Sequence, residues 1–188
     1  MFNVRTRPLS ITPALLALGL VALSNHARAQ DAPQPSPEIK RLTALAGKFE
    51  GEAQYTAGGK TIRFTLHHDN RVGAGGFCLA NHETADVPGM GHYEAENLFG
   101  WDAGKGELHI YSVTNDPYTH DHAGRFTDEK HATLRYQGLR DGKKLSEVIP
   151  MEILGPDEYR FKSTLTVAGG TPEVFVATMK RVSELSAR

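Results

Sequence analysis

From residue 48 to residue 181 the chain reads as short runs of β-forming residues joined by links of only a few residues, with no convincing helix among them. The runs fall at 48–55, 60–70, 76–84, 92–102, 107–114, 119–128, 131–139, 144–153, 158–167 and 173–181. The breaks carry turn chemistry: Ala57-Gly58-Gly59, Ala103-Gly104-Lys105-Gly106, Asp141-Gly142-Lys143, Gly155-Pro156-Asp157 and Ala168-Gly169-Gly170. Links this short leave no room for crossovers, so sequential strands must pair antiparallel. About ten such strands expose two long edges unless the sheet closes on itself. The expected fold is therefore all-β, a closed antiparallel up-and-down barrel with one short N-terminal helix. A β-sandwich is the alternative. It needs a long crossover, and the roomiest connection, 84–91, is short for that purpose.

The helix is expected just before the first strand. Ser36 can cap it, Pro37 suits the first helical position, and Gly47 can end it. Ile39, Leu42 and Leu45 make one apolar stripe that could close an end of the barrel. Ahead of it, residues 30–36 are polar and Pro-rich and read as a flexible leader. Residues 1–29 read as a signal peptide: Arg5 and Arg7 form a basic start, 11–23 is mostly apolar, and Ala27-Arg28-Ala29 is a small-x-small cleavage site. Thirteen apolar-region residues are too few for a membrane-spanning helix, which takes about 20. A periplasmic or secreted destination is expected, with no transmembrane segment in the mature chain.

Removing the first 29 of 188 residues leaves 159, enough for one domain over 37–188 with its own core. Of 21 basic side chains the segment removes three and no acid, so 18 face 22 acidic ones and the net charge becomes −4. An acidic surface argues against nucleic acid as a partner. The single cysteine, Cys78, rules out an internal disulfide and reads as a buried small apolar residue.

Alternation assigns faces. Ile62, Phe64 and Leu66 should point inward, carrying His68 in and His67 out; Phe77 and Leu79 should also point in, and Tyr159, Phe161, Leu165 and Val167 share a face. In the strand ending near Arg181, Phe175, Ala177 and Met179 oppose Val174 and Val176, so its inner face is ambiguous. His120 and His122 stand two residues apart, on one face and about 7 Å apart along the strand. They share parity with Phe126, which favours the interior.

Two short motifs resemble a known family. Leu45-Ala-Gly47-Lys-Phe49-Glu-Gly51 resembles the Leu-x-Gly-x-Trp-x-Gly opening of calycin-type barrels, with Phe49 in place of tryptophan. Phe99-Gly100-Trp101-Asp102, followed by a Gly-rich turn and a strand, resembles the Gly-Tyr-Asp segment of the DUF1579 group of bacterial proteins. The resemblance implies a calycin-like (lipocalin-like) barrel with an internal cavity, and no established activity. The related nitrobindins bind haem through a histidine late in the chain. No histidine follows His131 here, which argues against haem held in that way.

His68, His120 and His122 are the candidate polar fixtures of such a cavity, with Tyr93, Trp101 and Tyr111 as candidate aromatic lining. Neutral imidazoles are good ligands for a divalent transition metal, so His120, His122 and His68 are also the candidate metal ligands. Asp121 points to the opposite face; His109, Glu94 and Glu96 are the candidates from neighbouring strands. The expected partner is a small, partly apolar molecule. The alternatives are a metal-dependent or acid–base enzyme using the same histidines, for which no nucleophile elbow or phosphate loop is present, and a structural barrel filled by its own side chains.

Overall fold

The computed structural model describes residues 32–182. The signal-peptide reading of 1–29 lies outside them. The described elements are α1 (Pro37–Thr43) and ten strands: β1 (Gly47–Ala57), β2 (Lys60–Gly73), β3 (Cys78–Val87), β4 (Gly91–Asp102), β5 (Glu107–Thr114), β6 (Thr119–Phe126), β7 (His131–Arg140), β8 (Lys143–Gly155), β9 (Glu158–Val167) and β10 (Glu173–Arg181). Each strand pairs antiparallel with its neighbours in sequence, and β10 pairs back onto β1, closing a calycin-like barrel. The long 84–91 connection dissolves into strand: β3 runs on to Val87 and β4 starts at Gly91, leaving a three-residue turn.

The helix forms as its capping residues dictate. Ser36 accepts from the Ile39 amide, and Pro37 takes a position whose N–H would have had no partner. It stops at Thr43, earlier than Gly47 suggested, and Gly47 instead opens β1. Ile39, Leu42 and Leu45 are buried in one cluster with Phe49, Leu66, Leu79 and Met179, so α1 stoppers one end.

The Leu45–Gly51 motif has a physical reading at this end. Gly47 sits at φ 127°, and any β-carbon there would collide with the Arg181 guanidinium. Arg181 donates to the Ala46 carbonyl at 2.5 Å, to Ala44 and Pro156 carbonyls at 3.2 and 2.6 Å, and to Asp157 at 2.6 Å. Its guanidinium also lies 4.6 Å from the centre of the Phe49 ring. Gly51 lets β10 approach, since a β-carbon would meet the Thr178 carbonyl.

Alternation resolves the ambiguous strand: Ala177 and Met179 are buried, Phe175 packs on the core, and Val176 is exposed. Phe77, expected to point inward, is exposed; it ends a 3₁₀ turn before β3 and lies outside the alternating strand. Cys78 is half-buried with a free thiol.

Candidate functional site

The barrel encloses a cavity of about 610 Å³. Apolar side chains from most of the wall line it, including Phe64, Phe161, Phe175, Ile149, Met151 and Leu165. Leu42 and Leu45 floor it at the helix end. The opposite end is ringed by the hairpin residues Met90, Asp116, Tyr118, Arg140, Asp141 and Glu173. There Tyr118 donates to Asp141 at 2.9 Å, and Arg140 lies over the Tyr118 ring and 3.5 Å from Glu173. Tyr55 donates to Glu173 at 2.8 Å; burial, together with that carboxylate, pushes the Tyr55 hydroxyl up to about 12.

One seam of the wall is polar. Asn70, Asn81, Asn97, Ser112 and His120 stand directly opposite one another in sequence across β2 to β6. Because strands in a barrel are staggered, this row climbs from the helix end towards the mouth. Its lower part is a relay of amides. Asn70 donates to the Leu45 carbonyl at 2.9 Å, Asn81 to Asn70 at 2.8 Å, and Asn97 to Asn81 at 2.7 Å and Glu83 at 3.3 Å. Asn81 is 2% exposed, so the relay satisfies groups that water does not reach.

At the upper end, Glu147 of β8 gathers three donors. His122 Nε2 donates to Oε2 at 2.8 Å, His120 Nδ1 to the same oxygen at 3.2 Å, and Ser163 to Oε1 at 2.5 Å. Burial pushes the Glu147 carboxyl upward. The hydrogen bonds from His120 and His122, the charge of His122 and the Ser163 hydroxyl outweigh it and hold the carboxyl well below the usual range. Tyr136 stacks on His120 with ring centres 4.2 Å apart, and glycine at 138 makes room for its phenol. Ligand atoms of His120, His122 and Glu147 all lie within 4.8 Å of one another, the geometry of a potential metal-binding group.

His68 lies elsewhere in the lumen. Its Nδ1 and the Tyr159 hydroxyl form a 2.5 Å hydrogen bond, and its ring stacks on Phe161. Burial drives the Tyr159 hydroxyl well above its ordinary value. Glu83 Oε2 is 3.4 Å from His68 Nε2 without hydrogen bonding to it, so that nitrogen is buried without a hydrogen-bond partner, as is His122 Nδ1.

The residues named from the sequence thus separate. His120 and His122 come together, His68 lines the same cavity but is not in their group, and Tyr93 lines the cavity with burial raising its hydroxyl. Trp101 packs against the core outside the cavity lining. Tyr111 faces outward, 50% exposed, because Ile110 and Ser112 take the inward parity of β5. His109 pairs with Asp121, and Glu94 and Glu96 with His82, none of them in the cavity lining. The missed partner is Glu147. It shares parity with the buried Leu145 and Met151, an acid at an inward position of an otherwise apolar strand face. Glu83 and Ser163 carry the same signal beside Leu79 and Phe161.

No family model and no curated protein matches the chain. Several solved structures share its fold, two of them as follows. Rv2717c from M. tuberculosis matches with TM-score 0.60 and 13% identity, over 80% of this chain and 100% of that one. The S-type phycobiliprotein lyase CpeS from Guillardia theta matches with TM-score 0.55 and 9% identity, over 78% and 92%. Both are ten-stranded barrels of the calycin-like type.

Proposed function

We propose that this barrel binds a small, partly apolar molecule in its lumen. The observation that carries the reading is the cavity itself: about 610 Å³, within the range of ligand pockets (roughly 300–1,000 Å³), walled mainly by aromatic and aliphatic side chains. A barrel filled by its own side chains would leave no such space. The polar seam, ending in His120, His122 and Glu147, gives a bound molecule one hydrogen-bonding edge, and apolar contact on the others. That a barrel of like fold serves as a phycobiliprotein lyase supports treating the lumen as a working site. We further propose export of the chain, resting on the signal-like pattern of residues 1–29, and kinship with the DUF1579 group, resting on Leu45–Gly51 and Phe99–Asp102.

Titration with 1-anilinonaphthalene-8-sulfonate, read by fluorescence, tests the reading. One probe should bind per chain. Ile149→Trp, which fills the lumen, should abolish binding, while Leu139→Ser on the outer wall, where Leu139 is 62% exposed, should leave it unchanged. Binding that survives Ile149→Trp in a folded protein would place the probe outside and overturn the proposal.

A further inference from the structure

We infer that His120, His122 and Glu147 form a binding site for one divalent ion of the zinc, cobalt or ferrous type, set in the lumen wall. Two imidazoles and one carboxylate are the donor set of both open zinc sites and ferrous centres. Three features of the group favour a metal over a purely structural network.

The first is convergence. Both rings direct a nitrogen at one oxygen, Glu147 Oε2, from 2.8 and 3.2 Å. Around a tetrahedral zinc with bonds of about 2.0–2.1 Å, ligand atoms stand roughly 3.3 Å apart. The two nitrogen–oxygen separations therefore need to open by no more than about half an ångström, and the two ring nitrogens, within 4.8 Å of one another, stand on either side of the ion, which would occupy the place now taken by the two N–H protons. Those protons pass to the far ring nitrogens or to solvent.

The second is fixation. His120 is held by the stacked Tyr136 ring, and Glu147 by Ser163 through its other oxygen, leaving Oε2 for the ion. Such outer partners orient ligands and are worth about 10–100-fold in metal affinity. His122 Nδ1 is buried without a partner, so its ring lacks that support. The site should therefore bind its ion less tightly than one with a complete outer shell.

The third is position. All three residues line the cavity, so the protein supplies three ligands and the remaining coordination position borders space that a lumen molecule can enter. The inference is independent of what the cavity carries.

The test uses the full chain purified without a polyhistidine tag, stripped with chelator and titrated with cobalt(II). One equivalent should bind, with visible d–d absorption of a low-coordinate ion, and zinc should displace it. Glu147→Gln should weaken binding at least about tenfold. Should that variant fail to fold, His120→Asn, nearer the mouth, provides the same readout. His82→Ala, which removes the outer His82–Glu94–Glu96 group, should leave it unchanged. Absence of stoichiometric binding in the native chain, undiminished affinity in a folded Glu147→Gln or His120→Asn variant, or binding lost in His82→Ala would overturn the inference.

Discussion

The eight described histidines fall into two sets, divided by the barrel wall. Every one has a carboxylate oxygen within 3.4 Å. Five of these pairs lie on the outer face: His67 with Glu50, His82 with Glu96, His92 with Asp86, His109 with Asp121 and His131 with Asp128. Three lie inside: His68 with Glu83, and His120 and His122 with Glu147. The chemistry is the same and the consequence is not. Outside, water and ions screen each pair, and an exposed ion pair contributes about 0–1 kcal/mol. Inside, little water reaches the partners, so losing the bonds that His120 and His122 make to Glu147 strands polar groups with no ready substitute. Pairing alone is therefore no sign of a site in this molecule; pairing that water cannot replace is.

Breaking the inner set should have the largest effect. Glu147→Ala leaves His120, His122 and Ser163 without their acceptor and should destabilise the barrel by about 3–5 kcal/mol in denaturant titration. The pH dependence sharpens the point. The folded protein holds the Glu147 carboxyl below its ordinary value of 4.5, so the pairing contributes stability above that pH and loses it as pH falls through the folded value. Glu147→Gln should flatten this acid limb of the stability curve; an unchanged limb would show that other carboxylates produce it.

The amide relay comes second. Asn81→Ala strips the Asn70 oxygen of its donor and an Asn97 N–H of its acceptor, and should cost about 1–3 kcal/mol. The outer set comes last. His82→Ala should change stability by no more than about 0.5 kcal/mol, although His82 sits close to two carboxylates. An effect comparable with that of Asn81→Ala would erase the distinction between the two faces.

The same division explains what could be read from the chain. Strand positions and faces follow from local alternation, and three of the ten strands, β5, β9 and β10, match their expected bounds residue for residue. Alternation also turns His68, His120 and His122 inward. It carries no information about who meets whom across the lumen. Glu147 is 25 residues from His122 and two strands away, and their meeting depends on the stagger that closure imposes. For that reason His68 and the His120/His122 pair, alike in pattern, belong to separate groups. Tyr111 shows the converse: an aromatic in an apolar run suggests lining, but one residue of parity puts it on the outer wall.

Arg181 stands at the end of the last strand, yet it grips carbonyls of Ala44 and Ala46 at the very start of the barrel, 137 and 135 residues away. On a ribosome, the stopper helix and β1 emerge long before the residue that fastens them. Until β10 arrives, β1 presents an unpaired edge and the floor of the lumen has no latch. Closure is thus necessarily a late event, bought with a large loop entropy. Shortening the chain to remove even the last few residues of β10, Arg181 among them, should leave an open, adhesive sheet rather than a slightly smaller barrel.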